Sequence, residues 1–82
     1  MAHSRTVSNI LGSRIRQARR EARLSQSELA DKITAHVTSI SDWERGIHEP
    51  TVRHMASIAR ETDKPLDWFM EARAPFLDGA AA

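Results

Sequence analysis

The sequence predicts an all-α fold of five short helices. Three observations carry that reading. Apolar residues recur at helical spacing, the alternation of β-branched residues expected of strands is missing, and start and stop signals cut the chain into short segments.

In the first segment Leu11, Ile15, Ala18 and Ala22 form one stripe, with most arginines off it. Ser8 or Asn9 is placed to cap it, giving a helix over about residues 9 to 22 behind a flexible N-terminal arm, residues 1–8. Ser25-Gln26-Ser27-Glu28 has the form of a capping box, in which the serine hydroxyl accepts from the amide of residue 28 and Glu28 reaches back. Leu29, Ala30 and Ile33 give the following helix, about 26 to 32, its apolar face. Val37, Ile40 and Trp43 resume the helical spacing, and Gly46 ends a third helix over about 36 to 45. Thr51 caps a fourth helix lined by Val52, Met55, Ile58 and Ala59 and ending near Thr62-Asp63. Pro65 opens a fifth as its first-turn residue, with Leu66, Phe69, Met70 and Arg73 on one face. The folded domain is therefore expected over residues 9–74, followed by a short tail, residues 75–82.

Composition narrows the function. The chain has 82 residues, enough for one small domain, with 40% apolar and 28% charged residues. With no cysteine it has no disulfide, thiolate nucleophile or Cys-ligated zinc. His3, His36, His48 and His54 include no i, i+4 pair, so no metal site and no cofactor is expected. G-x-S-x-G, P-loop and H-E-x-x-H motifs are absent, which argues against an enzyme. No apolar run approaches a membrane span and the first residues lack a signal peptide's apolar stretch, so the expectation is no membrane and a cytoplasmic, nucleoid-associated location.

The net charge of +1 conceals an asymmetry. Residues 1–23 carry six arginines against Glu21 alone, whereas residues 61–82 carry Lys64 and Arg73 against five carboxylates. Ten of the twelve cations are arginine, the better bidentate partner for phosphate. One basic end and one acidic end suggest an oriented surface that turns its basic side toward a polyanion; a solvated helix face with scattered arginines is the alternative.

Segment 24–50, LSQSELADKITAHVTSISDWERGIHEP, resembles the helix-turn-helix of the Cro/phage-repressor family of DNA-binding regulators. The S-Q-x-E-L-A start of helix two, the I-S-x-W-E-R-G end of helix three and the proline after the next loop carry the resemblance. IRQAR at 15–19 and LDWF at 66–69 extend it over about Leu11 to Met70. It implies a compact five-helix, lambda-repressor-like domain in which Ala30 sits at the crossing of helices two and three and Ile40 and Trp43 pin helix three. One departure is Thr34, where the family usually places glycine; either the turn differs or a β-branched residue carries left-handed strain of about 1 kcal/mol.

The family docks the start of helix three in the major groove. The resemblance then implies base contacts from His36, Val37, Thr38, Ser41 and Asp42, although His36 can instead cap the helix. Thr38 and Ser41 suit several base edges, Val37 a thymine methyl, and Asp42 the amino group of cytosine. Gln26 matches a residue that touches the DNA backbone. Arg45, His48 and Arg53 follow helix three and can reach phosphate, with Arg14 and Arg16 adding to the field. The resemblance also pairs Arg19 with Glu44 in a partly buried structural ion pair. Trp68, off the fifth helix's stripe, is either a dimer contact with Phe76 and Leu77 or packed against helix one. The function expected is a sequence-specific regulator of double-stranded DNA, most simply a repressor that binds a palindromic operator as a homodimer, with no small-molecule effector. The alternative is an antitoxin or anti-repressor that also binds a protein partner.

Overall fold

A computed structural model describes the backbone from Ala2 to Met70 and the side chains of residues 9–70. It contains α1 (Ala2–Glu21), α2 (Gln26–Ile33), α3 (Val37–Glu44), α4 (Val52–Glu61) and α5 (Leu66–Met70), with no strand among the described residues. Among those residues no helix is long and apolar enough to cross a membrane.

Each helix contributes inward residues to one core. They are Ile15 and Ala18 of α1, Leu29, Ala30 and Ile33 of α2, Ile40 and Trp43 of α3, Met55, Ile58 and Ala59 of α4, and Phe69 of α5. Fully burying a side chain of leucine, isoleucine or phenylalanine size stabilises by about 1.5–3 kcal/mol. α1 packs across α3 and α5, while α2 packs on α3 and α4. Ala30 is buried between α2 and its neighbours, where a small side chain permits close approach.

The caps expected at Ser25 and Thr51 form. Ser25 Oγ accepts from the Glu28 amide at 3.0 Å, and the Ser25 amide donates to Glu28 Oε1 at 2.7 Å. Thr51 Oγ1 accepts from the His54 amide at 3.2 Å. Four helices end in one way. Arg23, Thr34, Gly46 and Asp63 all adopt positive φ, at 61°, 56°, 76° and 57°. After each, the next amide reaches back to a carbonyl five residues earlier: Leu24 to Arg19 at 3.1 Å, Ala35 to Ala30 at 2.9 Å, Ile47 to Asp42 at 2.9 Å and Lys64 to Ala59 at 3.0 Å. These are Schellman ends, which satisfy carbonyls that the helix leaves orphaned. Thr34 therefore makes the same left-handed corner that glycine would make and carries its strain.

Several expected boundaries and faces differ. α1 starts at Ala2, not near residue 9, and Asn9 lies within it. No proline or glycine between residues 2 and 11 stops the helix from extending. Pro65 precedes α5 instead of occupying its first turn, and its carbonyl accepts from the Trp68 amide at 3.0 Å. Val52 is 84% exposed, since the first residue of α4 faces away from the core. Leu66 and Met70 are exposed too, because a helix of five residues presents one turn to its neighbours and Phe69 takes that place.

Candidate nucleic-acid interface

α3 has two unlike faces. Ile40, Trp43 and Glu44 point inward and are buried. His36, Val37 and Thr38 are exposed at its N-terminal end, with Ser41 and Asp42 half-buried one turn on. Of the five residues expected to face bases, His36 precedes α3 and Val37, Thr38, Ser41 and Asp42 lie on it, none of them in the core. His36 occupies the N-cap position in extended conformation, yet its side chain makes no capping bond. The His54 ring of α4 lies 5.1 Å from the Trp43 ring and helps to seat α3.

The helix is held from beneath by one carboxylate. Arg19 Nε donates to Glu44 Oε2 at 2.6 Å and Arg19 Nη2 to Oε1 at 3.0 Å, while Nη1 donates to the Leu24 carbonyl at 2.9 Å. Both partners are buried. Gln26 Nε2 also donates to Glu44 Oε1 at 3.0 Å, and Arg16 Nε lies 3.5 Å from the same oxygen. Burial opposes the Glu44 charge, but hydrogen bonds from Arg19 and Gln26 and the charges of Arg19 and Arg16 outweigh it, holding its pKa below the ordinary 4.5. Such a bidentate, charge-assisted pair fixes both distance and orientation between α1 and α3.

Close approach at that seam depends on Gly12, which the sequence reading did not single out. A Cβ at Gly12 would stand 2.5 Å from the Trp43 carbonyl oxygen and 2.6 Å from that of Glu44. Gly46, at the end of α3, sits against Asn9, so a Cβ there would strike the Asn9 side chain.

The cations divide into separate groups. Arg45, His48 and Arg53 are exposed just beyond α3, as phosphate contacts require. Arg45 Nη2 donates to Asp42 Oδ1 at 3.0 Å, giving Asp42 a cation beside the outer face. Arg16 turns to α3, but Arg14 does not join it: its guanidinium lies 4.6 Å above the Trp68 ring of α5. Two positions along a helix are about 200° apart around its axis, so the two arginines serve different seams. Lys64 Nζ lies 4.7 Å from the same ring and pairs with Glu21 Oε1 at 2.5 Å. Trp68, half-buried and edge-on to Phe69 at 5.0 Å, therefore packs within its own chain. Phe76 and Leu77 lie outside the described residues. No group of histidine or carboxylate side chains among the described residues is arranged to hold a metal ion.

Residues 15–69 match the helix-turn-helix family. The chain is similar in fold to the clp gene regulator ClgR from C. glutamicum, with a TM-score of 0.75 and 22% sequence identity over 84% of this chain and 90% of that one. No curated protein matches the chain. The matched region holds the capping box of α2, the left-handed corner at Thr34 and the two-faced α3. On these grounds the chain belongs to the helix-turn-helix family of DNA-binding regulators of Cro/phage-repressor type.

Proposed function

We propose that this protein is a transcriptional repressor that binds a two-fold-symmetric operator as a homodimer. The exposed start of α3 carries the reading: His36, Val37 and Thr38 stand clear of the core while Ile40 and Trp43 anchor the same helix. A helix presented in this way fits the major groove, about 12 Å wide, end first. Thr38 and Ser41 supply hydroxyls and Val37 a methyl surface for base edges. No arginine or glutamine lies on this face for bidentate readout of guanine or adenine, so apolar contact and DNA shape carry much of the specificity. Gln26, Arg45, His48 and Arg53 flank the face and contact phosphate, fixing the register. So small a surface reads few base pairs, and pairing two copies doubles the site. Trp68 packing against α1 and Lys64 favours dimer contacts made elsewhere than on the tryptophan rings.

Selection of bound duplexes from a random-sequence pool tests this. The expected outcome is an inverted repeat whose half-sites are centred about one helical turn apart, roughly 10 base pairs. Enrichment of a single unsymmetric half-site would defeat the dimer, and enrichment of no motif would defeat sequence-specific binding.

A further inference from the structure

We propose that Glu44, besides tying α1 to α3, is a positioning residue for the DNA backbone contacts. It holds the Gln26 amide and the Arg16 guanidinium in place before DNA arrives. This rests on the DNA-binding reading above.

The arrangement reaches beyond the Arg19–Glu44 pair. Arg19 gives each Glu44 oxygen one hydrogen bond, through Nε and Nη2, and leaves each oxygen a second acceptor site. Gln26 and Arg16 come to the same carboxylate from outside that pair, at 3.0 and 3.5 Å. The carboxylate is sealed, with its side chain 0% exposed, whereas the Arg16 side chain is 44% exposed. The anion is thus hidden, while Arg16 faces water and Gln26 is half-buried beside it. A carboxamide nitrogen has two N–H groups, so Gln26 keeps one after bonding to Glu44. Arg16 turns Nε to Glu44, which leaves both terminal nitrogens for a second anion. A phosphate bridging Gln26 and Arg16 would find its donors already ordered. Fixing long side chains at an interface otherwise weakens binding several-fold per residue.

Charge and positioning predict opposite signs, which makes the idea testable. Glu44→Gln removes a negative charge beside a polyanion. If net charge alone mattered, binding would tighten, as counterion release dictates. If Glu44 positions Gln26 and Arg16, operator binding weakens roughly tenfold, the ordering cost of two long side chains. The affinity of E44Q is measured in the wild-type background and in a Gln26→Ala, Arg16→Ala background, with helix content of each variant checked by circular dichroism. The expected result is a loss in the first background that vanishes in the second. An equal loss in both, or unchanged or tighter binding in the first, overturns the proposal. Should E44Q fail to fold, relaxation of the Gln26 side-chain amide in the free wild-type protein decides instead. Order matching the α2 backbone supports the proposal, and the mobility of a free glutamine side chain overturns it. Wild-type protein that binds no duplex sinks the DNA-binding reading separately, and the amide measurement still decides the role of Glu44.

Discussion

Gly12 of α1 rests directly on the carbonyl oxygen of Trp43 in α3, so closely that a single added methyl group would stand 2.5 Å from it. The contact is backbone on backbone, and neither side has a flexible tip that can swing away. In an exposed helix, replacing glycine with alanine stabilises by about 1 kcal/mol. Here Gly12→Ala is expected to destabilise, because overpacking costs about 1–3 kcal/mol and α1 must lift from α3 to relieve it. Thermal unfolding checks this. At about 4–8 °C per kcal/mol for a domain this size, a melting temperature lower by several degrees is expected, and an increase would refute the packing argument.

Thr34 predicts the reverse sign. It is exposed, left-handed and β-branched, so its side chain contributes strain and little packing. Glycine removes a left-handed penalty of about 1–2 kcal/mol but loses part of that to the freedom it gains when unfolded. Thr34→Gly should therefore stabilise by about 0.5–1 kcal/mol. The urea midpoint should rise while the slope of the transition stays unchanged.

Glu44 makes stability depend on pH in the acid range. Its folded-state pKa lies below the ordinary 4.5, because the hydrogen bonds and charges of Arg19, Gln26 and Arg16 outweigh the burial that opposes ionisation. The stabilisation is complete above pH 4.5 and is lost as pH falls through the lower folded-state value. Melting temperatures measured from pH 7 down to pH 3 should hold steady to about pH 5 and then fall. Glu28, lowered by its bonds to Ser25, and Glu21, lowered by Lys64 and Gln17, add to the same slope. Glu44→Gln should flatten the fall, and an equally steep decline in that variant would assign it to other groups.

On DNA the outer face of α3 and the cations beyond it should separate. Arg53→Ala is expected to weaken operator and scrambled duplex alike and to reduce the slope of log affinity against log salt by about 1. Thr38→Ala should instead narrow the gap between operator and scrambled duplex, by up to about 1–3 kcal/mol at one base position. Titrations of both variants on both duplexes at several salt concentrations decide the matter. Parallel behaviour would end the division between reading and anchoring.

What could be read from the sequence follows the distance over which each feature is decided. The Ser25–Glu28 box and the Thr51 cap are settled within four residues, and both form as the residue types dictate. The left-handed corner at Thr34 was legible only as a departure from a family pattern, since nothing in threonine's own preferences demands it. Arg19 and Glu44 stand 25 residues apart, so the resemblance, not the spacing, joined them. The same family pattern assigned Gln26 to DNA without revealing that it also holds Glu44. Arg14 and Arg16 looked alike as charges; helical rotation sends one to Trp68 and the other to Glu44. Leu66 and Met70 fitted an apolar stripe, but a stripe does not say how many turns find a partner. Gly12 was silent because its reason lies in carbonyls more than thirty residues away along the chain.

The two faces of α3 bear differently on heritable change. Its inner residues answer to α1, α2 and α4, and altering any of them disturbs several neighbours at once. Its outer residues answer to nothing in the chain's own core, and substitutions at such sites usually alter stability by no more than about 0.5 kcal/mol. Positions 36, 37 and 38 are therefore free to drift while the scaffold survives intact. A duplicated copy could acquire a new target through a few replacements there, and mutation would rewrite the address without rebuilding the machine.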